Sequence, residues 1–224
     1  MKQPGLSEIC LTIVSPMANE AETAEPFIEA VLHRCKGFKS VRFFAIIDRA
    51  SKDNTREILE SLQKNHPELK VIWAPENRNL VDAYIRGYRE ALAVNSDWIL
   101  EIDAGFSHQP NDIPQFFEKM IEGYDCVFGS RFCKEGQITE SSLFRRLVSA
   151  GGTYLANILL GTKLSDMTSG FELFRRDALA FALEQGIRSE GHFFQTEIKF
   201  HCRHFRIAEG PIHYKSASPG VTIN

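Results

Sequence analysis

The stretch W-I-L-E-I-D-A-G-F-S-H-Q-P, from Trp98 to Pro110, is an apolar run that stops on a carboxylate, Asp103. Trp98, Ile99, Leu100 and Ile102 have the composition of a buried strand. Gly105 then allows an unusual backbone turn, and Pro110 stands just before the next helix. In open α/β sheets, ligands bind beyond the carboxyl ends of the strands, so this placement aims Asp103 at a ligand. Taken alone, the position reads more readily as a loop or capping aspartate. Two further runs change the balance. The first, from Ile9 to Val14, leads into S-P-M-A-N-E with Pro16, Asn19 and Glu20. The second, from Val41 to Ile47, leads into D-R-A-S-K-D-N-T with Asp48, Ser51, Asp53 and Thr55. Asn19 by itself is a turn residue, and Asp53 caps the helix that follows. Three carboxylate-rich loops delivered to one sheet edge are harder to explain as isolated turns.

The elements that must position these loops alternate along the chain. After the first strand comes a helix from about Thr23 to Cys35, with Pro26 in its first turn, where a missing N–H costs nothing. Helical spacing of Ile58, Leu59 and Leu62 follows the second strand. A third strand at Val71–Ala74 leads to a helix over Val81–Val94 and then to the Trp98 strand. This β-α-β-α order predicts an α/β fold with a central, mostly parallel sheet flanked by helices and joined by right-handed crossovers. Further on, the pattern predicts a helix near Ile113–Glu122, a strand near Cys126–Phe128 and a polar, mobile loop from Lys134 to Ser142. A long helix follows over Leu143–Leu160, then a strand at Phe171–Phe174, helices at Ala178–Glu184 and Phe193–Arg203, and a final extended segment from Ile207.

The 224 residues suit one domain, 1–224. A net charge of −3 argues against general nucleic-acid binding, which needs a basic surface. Five cysteines without a C-x-x-C pair fit reduced thiols in the cytoplasm better than a disulfide framework. The N-terminus lacks the apolar core of a signal peptide, and no apolar run is long enough to span a membrane.

The set P-x-x-N-E, I-I-D-x-x-S-x-D-x-T and I-D-A-x-x-S-H-x-P resembles inverting nucleotide-sugar glycosyltransferases of the Rossmann-like GT-A fold. G-S-R-F at 129–132, D-M-T-S-G-F at 166–171, F-F-Q-T-E at 193–197 and the closing E-G-P-I narrow the likeness. Together they are similar to dolichol-phosphate-mannose synthases and their bacterial polyprenyl-phosphate relatives, over about residues 8–215. The resemblance implies a nucleotide-binding part at about 8–110 and an acceptor part at about 111–215. It implies that Pro16, Asn19 and Glu20 contact the nucleotide and that Asp48 helps hold base and ribose. Asp103 matches the first aspartate of the metal-binding D-x-D, for Mg2+ or Mn2+. Arg131 matches an arginine near the phosphates, and Asp166 and Glu197 match acidic positions on the acceptor side. The implied reaction moves a hexose, mannose or glucose, from a nucleotide diphosphate sugar to a polyprenyl phosphate, with Asp103, Asp166, Glu197 and Arg131 as the catalytic set. A divalent cation suits it, because it neutralises the diphosphate leaving group.

Four departures stand out. Gly105 replaces the second carboxylate of D-x-D, which one carboxylate plus phosphates and waters could offset. Arg49 and Ala50 follow Asp48 where relatives have aspartate and glycine, leaving the nucleobase open. Asn79-Leu80-Val81-Asp82 replaces a glycine-rich loop, and the terminal arginine and lysine are missing, with Lys215 a partial substitute. Two alternatives therefore stand beside the lipid-phosphate reading. One is transfer to a glycan or small-molecule hydroxyl, which would need Glu197 or Asp166 as general base. The other is a catalytically silent member that binds a nucleotide sugar or a partner. Asp166 also fits a turn around Gly170, and Glu197 a solvated helix face. His108 reads equally as a metal or phosphate contact and as a loop stabiliser. Arg145 and Arg146 ahead of Leu147, Val148, Leu155, Ile158 and Leu159 fit either core packing or peripheral contact with the inner face of an anionic membrane.

Overall fold

The computed structural model describes residues 5–139, 143–191 and 193–215, with the backbone alone for 143–147. The first half alternates strictly: β1 Cys10–Pro16, α1 Ala24–Arg34, β2 Ser40–Ile47, α2 Thr55–Leu62, β3 Leu69–Trp73, α3 Leu80–Ala93 and β4 Trp98–Glu101. The second half runs α4 Ile113–Ile121, β5 Cys126–Ser130, β6 Gln137–Thr139, α5 Leu143–Leu160, β7 Glu172–Arg175, α6 Arg176–Glu184, α7 Phe194–His201, β8 Ile207–Pro211 and β9 His213–Lys215. The mostly parallel α/β sheet is present, in the order β3-β2-β1-β4-β7-β5-β8. One strand is reversed: β7 runs antiparallel to both β4 and β5.

The strand sequences explain why both faces are covered. Side chains alternate across a sheet, so runs such as Phe43-Phe44-Ala45-Ile46 must bury apolar groups on two sides. Phe43, Ala45, Ile13 and Leu100 pack into one core with Phe27, Ile28 and Phe116 of the helices. Phe44, Ile46, Val14 and Ile99 pack into the other with Tyr84, Tyr88, Leu179 and Ile198. Strands β2, β1 and β4 are neighbours and parallel, so their carboxyl ends share one edge.

One expectation is corrected. The polar stretch from Lys134 is not simply a mobile loop, because Gln137–Thr139 forms β6 and pairs in parallel with β9. A pairing partner 76 residues further on supplies the ladder (Gln137 with His213), which local composition does not encode. Residues 140–142 of that stretch, the side chains of Arg145, Arg146 and Leu147, and the tail beyond Lys215 lie outside the described residues. At the end of β7, Arg175 pairs with Asp125 and Asp177, while Arg176 donates to the carbonyls of Leu92 and Ser96.

Candidate active site

The first two loops are stitched together by bonds between side chains and backbone. Asn19 adopts a left-handed backbone, φ +60°, which asparagine tolerates better than most residues. Its Oδ1 accepts from Lys52 N–H at 2.8 Å and its Nδ2 donates to the Ala50 carbonyl at 3.3 Å. Glu20 N–H donates to Thr55 Oγ1 at 2.8 Å, and Ala21 N–H donates to Asp53 Oδ2 at 3.1 Å. Asp53 also accepts from Thr55 N–H at the start of α2. Burial would raise its pKa, but the bonds from Thr55 and Ala21 hold it below the usual carboxylate range. Asp48 closes its own turn by accepting from Ala50 N–H at 2.8 Å and is nearly buried. Pro16, Asn19, Glu20 and Asp48 are thus brought to one edge, with Asn19 as the staple.

Asp103 stands two residues beyond β4, its carboxylate 39% exposed. Tyr84 of α3 donates its hydroxyl to Oδ1, and His108 places Nδ1 3.4 Å from Oδ2. The His108 ring is buried between the rings of Phe171 and Tyr214. Burial lowers its pKa, so the ring is neutral and one of its nitrogens carries a lone pair. Its Nδ1 is buried and has no hydrogen-bond partner. Among the described residues, no three His, Cys, Asp or Glu side chains gather as a closed metal cage. An open carboxylate beside an orphaned imidazole nitrogen nevertheless suits Mg2+ or Mn2+ completed by phosphates and water.

Arg131, just after β5, and Asp166, in the loop before β7, meet from segments far apart in sequence. Arg131 Nε and Nη2 donate to the two Asp166 oxygens at 2.7 and 2.8 Å, and the Arg131 N–H adds a third bond. Burial alone would raise the Asp166 pKa, but the paired guanidinium holds it down at about 2. Nη2 also reaches Thr168 Oγ1, which leaves Nη1 outside the pair. The D-M-T-S-G loop that carries Asp166 is held from below. Glu209 accepts from Ser165 and Asp166 N–H groups, and the buried Lys199 Nζ donates to the carbonyls of Asp166 and Ser169 at 3.1 and 3.0 Å.

Glu197 is placed differently. On the first turn of α7, its carboxylate accepts from the N–H groups of Arg188 and Ser189, each at 2.9 Å. Burial is outweighed by these bonds, and its pKa lies below the usual value. It anchors the loop before α7.

Sequence reasoning missed the polar layer beneath Asp103. Glu101 and Glu172 face one another in register across β4 and β7, both buried. Glu101 accepts from the Tyr88 hydroxyl and from Gln195, while Glu172 pairs with Lys199 at 3.1 Å. Burial pushes both acids up, Glu172 to about 7. A signal existed: Tyr84 and Tyr88 are spaced i, i+4 on a helix, and Glu101 and Asp103 i, i+2 along the extended segment that closes β4. Those steps span about 6.0 and 6.6 Å, so the two rows match rung for rung.

With this geometry in hand, comparisons place the chain among known proteins. The family model "Glycosyl transferase family 2" matches residues 12–181. An undecaprenyl-phosphate mannosyltransferase of Micrococcus luteus is 31% identical over 90% of this chain and 82% of its own. A polyprenol monophosphomannose synthase of Mycolicibacterium smegmatis is 24% identical over 94% of this chain and 79% of its own. Among solved structures, glucosyl-3-phosphoglycerate synthase from Mycobacterium tuberculosis, in complex with Mn2+, UDP-glucose and phosphoglyceric acid, superposes with a TM-score of 0.62. That likeness covers 93% of this chain and 72% of the other at 17% identity, and it shows a shared fold.

Proposed function

The chain belongs to glycosyl transferase family 2, and from that premise we propose that it moves a hexose, mannose or glucose, from a nucleotide diphosphate sugar to a polyprenyl phosphate with inversion. The observation that carries the choice of acceptor is the commitment of two carboxylates. A hydroxyl acceptor needs a general base, and Asp166 and Glu197 were the candidates. Asp166 is locked to Arg131 with its pKa held at about 2, and Glu197 is bonded to two backbone N–H groups. Both carboxylates are already committed to other partners and are not free to take a proton from a hydroxyl. A phosphate monoester is already anionic and needs no base. The names of the mannosyltransferase relatives point the same way.

In this reading Pro16, Asn19, Glu20 and Asp48 cradle the nucleotide, and Asp103 faces the diphosphate. A bound Mg2+ or Mn2+ would neutralise the charge that gathers on the leaving diphosphate. Tyr84 holds the Asp103 carboxylate in one orientation. Arg131, oriented by Asp166, offers its remaining edge to a phosphate. An acceptor phosphate oxygen bonds to the anomeric carbon as the bond to the nucleotide diphosphate breaks on the opposite face, so inversion follows without a proton transfer. Helix α5 presents Tyr154, Leu155, Ile158 and Leu159 to the outside, with Leu159 72% exposed. Peripheral contact with the membrane that carries the lipid acceptor accounts for that face. No helix among the described residues is long and apolar enough to cross a membrane.

The test is transfer from labelled GDP-mannose and UDP-glucose, with Mn2+ or Mg2+, to undecaprenyl phosphate in anionic vesicles. Label is expected in the lipid fraction, lost in Asp103→Ala. Transfer to sugar hydroxyls but not to lipid phosphate would overturn the acceptor. No transfer to any acceptor would mark a silent member.

A further inference from the structure

We propose that Glu20, from the first strand-end loop, supplies beside Asp103 the second carboxylate of the cation site that Gly105 lacks. This rests on the sugar-transfer reading above. The first observation is spatial. A Cβ built on Gly105 would lie 2.8 Å from Glu20 Oε1 and 2.9 Å from Oε2, closer than real Cβ contacts come. The Glu20 carboxylate therefore fills the volume in which a residue-105 side chain would begin. The backbone agrees, because Gly105 has φ +74°, a conformation open to glycine and costly for aspartate.

Glu20 is also held in place. Its N–H is fixed by Thr55 Oγ1, and its carboxylate accepts from the Thr23 hydroxyl. Half-buried, it feels the negative charge of both Asp53 and Asp103. Two carboxylates brought near each other with no cation between them are mutually destabilising, and a divalent ion reverses the sign of that interaction.

An independent observation points to a ligand at the same place. His108, only 1% exposed, directs an unpartnered Nδ1 toward Asp103 Oδ2 at 3.4 Å. An orphaned buried nitrogen costs free energy that a cation or its water would recover. The ion would take oxygens from Glu20 and Asp103, with diphosphate and water completing the shell.

The experiment reads Mn2+ binding to the full chain by electron paramagnetic resonance, with saturating UDP or GDP, alongside metal-free nucleotide titrations. Glu20→Gln keeps the shape and the acceptor for Thr23. It is expected to weaken Mn2+ binding by about tenfold or more, a larger loss than any it causes in metal-free nucleotide affinity. Gly105→Asp alone should fail to tighten Mn2+ binding, because the new side chain meets Glu20. The double variant Glu20→Ala/Gly105→Asp clears that space and should recover Mn2+ affinity lost in Glu20→Ala. Unchanged Mn2+ affinity in Glu20→Gln, or a loss confined to metal-free nucleotide binding, would overturn the proposal. Wild type that binds Mn2+ through Glu20 yet transfers no sugar would sink the proposed reaction and leave this site standing.

Discussion

Arg131 and Asp166 form the most tightly specified pair at the site edge, and their chemistry makes two predictions. Asp166 has its pKa held at about 2 against 3.8 for the free side chain. A depressed carboxylate pKa stabilises the fold at every pH above the unfolded value, and that stabilisation drains away as pH falls toward the folded value. The shift corresponds to about 2 kcal/mol. Urea unfolding of the wild type should therefore lose that amount between pH 4 and pH 2, and Asp166→Asn should flatten this limb. An unchanged acid limb in the variant would show that the pair carries no such linkage. Arg131→Lys keeps the charge but cannot make the two parallel bonds. It is expected to cost about 3 kcal/mol, because a buried carboxylate is left partly unpaired, and to cut transfer more than nucleotide binding. Equal losses in both would argue that Arg131 serves the donor side.

Helices and strands explain why those residues sit where they do. The match between α3 and β4 sets Tyr84 on Asp103 and Tyr88 on Glu101. Tyr84→Phe should leave the melting temperature nearly unchanged and weaken Mn2+ binding several-fold, measured with nucleotide present. Tyr88→Phe, one rung deeper, should do the reverse. Helix α7 contributes Lys199, which runs beneath the D-M-T-S-G loop and meets Glu172 of β7. Lys199→Met strands a buried acid and is expected to destabilise by about 3–5 kcal/mol. Adding Glu172→Leu should restore much of the loss, which chemical denaturation of the single and double variants would reveal. A double variant no better than the single would mean that loop bonding, not charge pairing, is the role of Lys199. Helix α5 makes the third case. Leu155→Asp with Leu159→Asp, at exposed positions, should abolish flotation with anionic vesicles while leaving the melting temperature unaltered.

At the scale of the whole molecule, the ligand and the fold are thermodynamically linked. A ligand that binds only the folded chain stabilises it in proportion to the logarithm of its concentration over its dissociation constant, about 2.7 kcal/mol at a hundredfold excess. Nucleotide and Mn2+ together should raise the melting temperature by more than the sum of each alone. Simple additivity would indicate separate sites.

Much of this organisation was legible in the sequence. The alternation of strands and helices, the buried strands and the carboxylates at their ends depend on contiguous residues, whose periodicity and turn chemistry are local. Local patterns could not say which strands become neighbours. Strand β7 enters between β4 and β5 in the reverse sense, and that placement alone sets Glu101 against Glu172. Arg131 meets Asp166 across 35 positions of chain, and β6 exists only because β9 lies beside it. Gly105 reads in the sequence as a missing carboxylate. In the folded chain the Glu20 carboxylate already occupies its space. Side-chain type fixed the chemistry available, and tertiary packing decided which groups meet, because burial and pairing are properties of segments that only folding brings together.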